Sequence, residues 1–303
     1  LSLAYAADRD YRHIVVLGDP HLPGTTLEEK EDARDTINKW ENVDLVAAVG
    51  DITETSGTEE EYGIAKKFFS EFSKPLAIIG GNHDYIYADT LSKLGKRLKG
   101  NERSRSAKLN LLKATFGLDE VYYKKLIGPY LLVFLTPDDL QASLLATMST
   151  AQYKWLSAVL TANKNRPTII FFHAPLYGTL EQYNEYVNTD SYVAQPKEEI
   201  RRILADNPQV FMWVSGHTHT SPGRPGFASD INLYEKRVIN IHTTDMKRNY
   251  IYTNSLFLYP DRVVVKTFNH HKGFWMNNLE RTVPIPEENK RKAVIRNEEL
   301  QGR

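Results

Sequence analysis

Ile14-Val15-Val16-Leu17-Gly18-Asp19-Pro20-His21 runs from four consecutive apolar residues through a glycine to a carboxylate and an imidazole, groups that do not belong in a core. The same change of character recurs four times. Val43 to Val49 leads into Gly50-Asp51, Leu76-Ala77-Ile78-Ile79 into Gly81-Asn82-His83-Asp84, Thr168 to Phe172 into His173, and Val210 to Val214 into Gly216-His217-Thr218-His219. Short runs rich in Val, Ile and Phe read as strands buried on both faces. In an open α/β sheet ligands bind in the crevice at the carboxyl ends of the strands. The five polar clusters are therefore expected on one rim, although Asp19 and His219 stand far apart in sequence.

The segments between these runs supply the other half of an α/β pattern. Thr26-Leu27-Glu28-Glu29 has the form of a capping box, and Ala33, Ile37 and Trp40 recur at helical spacing, which predicts an amphipathic helix over 26–41. Tyr62 to Phe72 repeats the device before the third strand. Ser149-Thr150-Ala151-Gln152 caps a further helix with Trp155, Leu156, Val159 and Leu160 as its apolar face. Strands alternating with helices build a mostly parallel sheet. Beyond residue 230 the strands come in close succession: Val238 to His242, Ser255 to Tyr259 and Arg262 to Phe268, the last two joined at Pro260-Asp261. They are expected as antiparallel neighbours in a second sheet packed on the first. The expected organisation is one domain over 9–286 and a charged tail over 287–303, preceded by a short apolar lead over 1–8.

At 303 residues, 41% of them hydrophobic and 25% charged, the chain is long enough to bury a full core. Lys+Arg and Asp+Glu balance at 38 each, so composition gives no case for a nucleic-acid or acidic-membrane partner, and no nucleic-acid module is evident. The absence of cysteine excludes disulfides, thiolate zinc sites and lipidation on cysteine. No stretch approaches the run of apolar residues that a membrane span needs. Leu1-Ser2-Leu3-Ala4-Tyr5-Ala6-Ala7 carries the A-x-A pattern of a signal-cleavage site. Read so, it predicts export to a periplasmic or extracellular location; read as a plain chain start, it leaves a cytoplasmic protein.

The five clusters offer oxygen and imidazole donors without thiolate, a set suited to Mn, Fe, Co or Zn. Asp-x-His and His-x-His spacings send both side chains to one side of an extended segment. Polar clusters directly after buried strands cost stability unless they bind something. Two cations about 3.5 to 4 Å apart need a bridging ligand, which a carboxylate supplies.

In their order along residues 13–219, these motifs resemble those of the calcineurin-like metallophosphoesterases. The resemblance implies an α/β fold, a four-layer α/β/β/α sandwich of two mixed sheets flanked by helices. It implies a binuclear centre of two divalent or trivalent metal ions (Mn, Fe, Zn or Co) bridged by Asp51. Asp19, His21 and His219 would complete one metal, and Asn82, His173 and His217 the other. A metal-bound hydroxide would attack phosphorus in line, with His83 protonating the leaving oxygen and Asp84 orienting His83. The substrate would be a small anionic phosphoester. Phosphodiesters of small molecules or nucleotides are preferred, with phosphomonoesters and nucleotide pyrophosphates as the alternative. A scaffold of the same fold without turnover would show itself by missing ligands, and none is missing.

Other features remain open at this level. Residues 93–108 carry Lys93, Lys96, Arg97, Lys99, Arg103, Arg105 and Lys108 against the single acid Glu102. They form either a loop over the site that attracts an anionic substrate or a solvated surface segment. His242 either supports the site or packs in the core. His13, His270 and His271 are expected at the surface or a sheet edge. Tyr85, Tyr87 and Tyr177 either line a pocket or pack.

Overall fold

The computed structural model describes residues 9–247 and 250–289. The apolar lead over 1–8 and residues 290–303 of the charged tail lie outside the described residues. The elements begin β1 Arg12–Leu17, α1 Leu27–Lys39, β2 Leu45–Val49, α2 Glu59–Ser70, β3 Leu76–Ile79 and the single turn α3 Asn82–Tyr85. A hairpin, β4 Tyr87–Leu91 and β5 Arg97–Lys99, precedes α4 Glu102–Phe116, β6 Tyr122–Ile127 and β7 Tyr130–Leu135. Next come α5 Thr150–Ala162, β8 Thr168–Phe172, α6 Lys197–Asp206 and β9 Val210–Ser215. The chain then runs through β10 Leu233–Tyr234, β11 Val238–His242, β12 Tyr252–Leu258, β13 Arg262–Asn269, β14 Phe274–Trp275 and β15 Arg281–Pro284.

Strand alternation builds the layers. Ile14 and Val16 of β1 point to one side, where they pack with Ala47, Val49 and Ile79 against Leu132, Phe134, Phe171 and Val214. Val15 and Leu17 point to the other side, onto Ala33 and Ile37 of α1 and Ala65 and Phe68 of α2. Across the sandwich, Leu131, Val133 and Ile170 turn away from the first sheet onto Leu156 and Leu160 of α5 and Ile203 of α6. Two sheets thus stack face to face with helices outside each, the expected α/β/β/α sandwich. No described helix is long and apolar enough to cross a membrane.

The division of strands differs from the sequence expectation. The first sheet has the order β14-β13-β12-β1-β2-β3, with β15 also on β13, and the second has the order β10-β11-β9-β8-β7-β6. The five motif strands are therefore split between the sheets: β1, β2 and β3 lie in one, β8 and β9 in the other. Of the late strands only β11, parallel to β9, and the two-residue β10 on its far edge enter the second sheet. β12 and β13 complete the first. The reason is an open edge: β1 pairs with β2 on one side only, and β12 fills the other, antiparallel, from Arg12↔Leu258 to Val16↔Asn254. A single apolar run shows that a strand is buried but not which neighbour it pairs with.

Caps also differ in detail. Thr26 precedes α1 without a side-chain cap, because its hydroxyl donates to the Met246 carbonyl at 3.0 Å. Thr58 and Glu61 close a full capping box on α2, and Ser149 caps α5 as expected. His13 is buried rather than at an edge, stacked on Phe257 at 4.3 Å and bonded to Ser255.

Candidate metal centre

The five clusters meet at one rim. Asp19, His21, Asp51 and His219 bring one donor atom each within 4.8 Å of one another, and so do Asp51, His173 and His217. Asp51 belongs to both groups, as a bridging carboxylate must. Asn82 Oδ1 joins the second group 3.0 Å from His173 Nε2. Apart from His219, these side chains are buried.

The backbone is bent to bring them there. Asp19, His21, Asp51, His217 and His219 all have positive φ, between 41° and 65°, and they are five of the eight non-glycine residues in that region among the described residues. Each such residue costs on the order of 1 kcal/mol, and strain of this kind persists at functional sites where the surroundings over-determine it. The motif glycines make the room. A Cβ on Gly216 would stand 2.8 Å from Asp19 Cγ, and one on Gly50 2.8 Å from His173 Cγ. Asp19 in turn is held by accepting the His217 amide N–H at 2.9 Å.

The donor set fits metal ions. His173 Nδ1–H donates to the Val49 carbonyl at 2.9 Å, so its Nε2 lone pair faces Asn82 Oδ1 and, at 3.3 Å, Asp51 Oδ1. His219 Nδ1–H meets the Asp245 carboxylate at 3.0 Å, which aims its Nε2 at His21 Nε2, 3.2 Å away. His217 Nε2–H donates to the Ser191 carbonyl at 3.0 Å and leaves Nδ1 free. Between His173 and Asn82 acceptor thus faces acceptor, which requires a cation or a proton between them. His21 Nδ1 has no hydrogen-bond partner among the described residues.

The electrostatics make the same demand. Burial pushes the Asp19 carboxyl up to about 7, against the pull of His219 and His173. Burial opposes charge on Asp51 too, yet His173 and His83 beside it hold its carboxyl well below the usual range. His173 rises to about 9 as Asp51 and Asp19 outweigh its burial. His217 falls to about 3 through burial and the charge of His173. Positive charge is wanted at the centre, and the bare chain supplies it as a proton on His173.

Above these groups lies a cavity of about 300 Å³ with Asp51, Asn82, His83 and His217 on its floor. Tyr87 and Arg97 of the β4–β5 hairpin line it, with Leu145, Tyr186, Val187 and Tyr192. His83 Nδ1–H donates to the Glu54 carbonyl at 2.7 Å. Its Nε2 faces Asp51 Oδ2 at 3.8 Å and accepts from Arg97 Nη1 at 2.9 Å. Asp84 does not orient His83. Its two oxygens accept the N–H groups of Ile52, Thr53 and Gly81 at 3.0, 2.9 and 2.7 Å. It clamps the Asp51 turn to the Asn82 turn, because three amides left unpaired by the sharp bends need a buried acceptor.

The basic segment divides. Arg97 enters the cavity, its guanidinium 5.3 Å from the centre of the Tyr87 ring. Arg105 and Lys108 are buried instead. Arg105 donates to the carbonyls of Gly100, Leu140 and Ala142, and Lys108 to those of Ser56 and Tyr87. Tyr85 packs in the core and Tyr177 is exposed outside the cavity. His242 is buried and holds the Thr179 carbonyl at 2.9 Å. Asp245 was not singled out in the sequence. Its signal was present: Ile241-His242-Thr243-Thr244-Asp245 is another apolar strand ending in polar residues.

The calcineurin-like phosphoesterase family model matches residues 12–221. A dimetal phosphatase from Danio rerio superposes with a TM-score of 0.60 at 15% identity, covering 91% of this chain and 99% of its own. A purple acid phosphatase from yellow lupin seeds gives 0.63 at 13% identity, over 94% of this chain and 56% of its own. The anchor protein of the Plasmodium inner membrane complex gives 0.59 at 13% identity, over 94% and 93%. Such identities establish the fold. No curated protein matches the sequence significantly.

Proposed function

The chain belongs to the calcineurin-like phosphoesterase family, and from that premise we propose that it hydrolyses small phosphodiesters at a two-metal centre. Asp51 would be shared between the two ions, with Asp19, His21 and His219 to hold one and Asn82, His173 and His217 to hold the other. The observation that carries the reading is the pair of donor clusters sharing Asp51, in one of which the His173 lone pair faces the Asn82 amide oxygen. Every residue invoked lies within 9–286, the proposed catalytic domain.

Bound Mn, Fe, Zn or Co ions would supply Lewis acidity and activation of water at neutral pH. The rest falls to the chain. Asp245 fixes His219 in the tautomer that leaves Nε2 free, and the Val49 carbonyl does the same for His173. Tyr192 stacks on His217 at 4.8 Å and holds its ring. Arg97 binds the phosphoryl oxygens: the guanidinium fork suits that group, and in turning to it Arg97 releases His83 Nε2. His83, anchored through Nδ1 to the Glu54 carbonyl and freed of Arg97, then takes up a proton from solvent at Nε2 beside the Asp51 carboxylate and passes it to the leaving oxygen. Tyr87, Leu145, Tyr186, Val187 and Tyr192, which line the same cavity, would offer wall to the organic groups of a diester. Arg97 also favours a second reading, since a phosphomonoester or nucleotide pyrophosphate carries more charge than a diester.

The test is a panel of bis-nitrophenyl phosphate, nitrophenyl phosphate, cyclic nucleotides and nucleotide sugars, each with Mn, Fe, Co or Zn restored. Turnover of the diesters above the monoester is expected. Monoester preference moves the assignment to the second reading, and no turnover with any metal leaves a scaffold. His83→Ala should lose activity on alkyl esters far more than on nitrophenyl esters, because a positioned acid contributes typically about 10²- to 10⁴-fold where the leaving group is poor. Equal losses on both would remove His83 as the acid.

A further inference from the structure

The β4–β5 hairpin forms a two-stranded sheet of its own, paired with neither main sheet. Its base is fixed to the body. The Gly100 amide donates to the Ile86 carbonyl at 2.7 Å, Lys108 holds the Tyr87 carbonyl, and Lys99 donates to the Ser143 carbonyl. Its tip is equally ordered: Ser92 N–H donates to the Lys96 carbonyl at 2.8 Å, while the Ser92 hydroxyl accepts from the amides of Leu94 and Lys96. The projection is thus hydrogen-bonded at both its base and its tip.

What it presents is unusual for a water-facing surface. Leu94 and Leu91, 83% and 60% exposed, are the two most exposed large apolar side chains of the described residues, and Leu98 is 44% exposed. Leu98 follows Arg97, the register partner of Leu91, and so lies on the other face of the hairpin; single exposed leucines are ordinary, but Leu91 at the end of β4 and Leu94 in the turn together leave the tip apolar. Around them Lys93, Lys96, Arg97 and Lys99 are the only charged residues between 90 and 100, and no carboxylate pairs with Lys93 or Lys96 among the described residues. Lysines on an open strand edge also hinder aggregation. That purpose does not account for Leu94, which sits in the turn beyond both strands. Apolar tip and cationic flanks together are the composition that inserts at the boundary of an anionic bilayer.

We propose that this hairpin docks on an anionic lipid surface, seating the mouth of the metal centre against the headgroups. Tyr87 and Arg97 belong at once to the hairpin and to the cavity wall, so a docked hairpin points the cavity at the surface. Phosphoesters carried by lipid headgroups are then the substrate class, a step that rests on the phosphoesterase reading. The balanced net charge of the chain conceals the patch, because its four cations are offset by acids elsewhere.

Sedimentation of the purified chain with vesicles separates the two ideas, since it needs no turnover. Vesicles of phosphatidylcholine containing phosphatidylglycerol should bind the protein and release it at high salt; phosphatidylcholine alone should not. Lys93→Glu with Lys96→Glu should lower partition by at least about 25-fold, taking roughly fivefold for each cation near the surface. Leu94→Asp should abolish binding. All three positions are solvent-exposed and outside the catalytic machinery, so turnover of soluble bis-nitrophenyl phosphate should be unchanged. Failure of the parent chain to bind anionic vesicles would leave the patch to a protein partner and overturn the proposal. Equal binding to neutral vesicles, or binding that survives both variants, would overturn it too.

Discussion

Replacing Gly81 by alanine puts one methyl group into the wall of the metal centre, and the structure fixes what it would meet. The new Cβ would stand 2.7 Å from His173 Cε1, and closer still to the amide nitrogen and Oδ1 of Asp51, whereas contacts under 3.0 Å are essentially never tolerated. The obstacle is not conformational, since the φ of Gly81 is −121°. Neither obstacle can swing aside: Asp51 is fixed by backbone and His173 is pinned to Val49. Overpacking of this kind costs about 1 to 3 kcal/mol. With about 2.1 cal/mol/K of unfolding entropy per residue, that lowers the midpoint of thermal unfolding by about 2 to 5 °C. A shift of several tenths of an ångström between Asp51 and His173 also falls between the two donor groups, so loss of at least one metal is expected. Gly63→Ala is the internal control. It lies exposed in α2 with nothing within 4 Å of the new Cβ, so the same substitution should stabilise by about 0.5 to 1 kcal/mol. Scanning calorimetry of both variants, with metal content by elemental analysis, decides the matter. A Gly81→Ala protein that unfolds with the parent and carries two metals would refute the reasoning, as would equal destabilisation by both substitutions.

Two further outcomes follow from the same geometry. Asp245→Ala removes the carboxylate that orients His219 and should weaken binding of one metal by about 10- to 100-fold in calorimetric titration, with Asp245→Asn intermediate; unchanged affinity would mean that Asp245 only packs. Stability of the metal-free chain should fall in mild acid, because burial holds His13, His242 and His270 down to about 4, 3 and 4. Their folded values lie below the unfolded value near 6.5, so the stability is fully present above about pH 6.5 and is lost as pH falls toward 4. His13 alone accounts for about 3 kcal/mol of that slope, and urea denaturation of His13→Phe at pH 7.5 and 5 should show a flatter dependence than the parent; parallel slopes would contradict it.

How much was legible in the sequence follows from how locally each feature is encoded. Each apolar run ending in a polar cluster is a contiguous signal, so Ile14 to His21 and its four counterparts announced both the buried strands and the residues at their ends. The glycines of the motifs were visible as well, although their reason was not: Gly50, Gly81 and Gly216 leave space for side chains from other strands. The basic segment shows the limit. Seven cations look alike in sequence, yet Arg97 enters the cavity, Lys93 and Lys96 face water, and Arg105 and Lys108 turn inward to tie down carbonyls.

By itself the sequence determined the α/β class, the strand positions and the set of donor types, because hydrophobic periodicity and motif order depend on neighbours along the chain. Only the tertiary structure decided which sheet each strand joins, since β12 was free to pair with either sheet until the open edge of β1 took it. It alone separated Asp84, a clamp between two turns, from Asp245, the partner of His219, because hydrogen-bond partners are chosen in space among groups that burial leaves unsatisfied. Five left-handed backbone bends at Asp19, His21, Asp51, His217 and His219 could not be read in advance either. Strain of that kind is imposed by the packed sheets on residues whose local preferences would take them elsewhere.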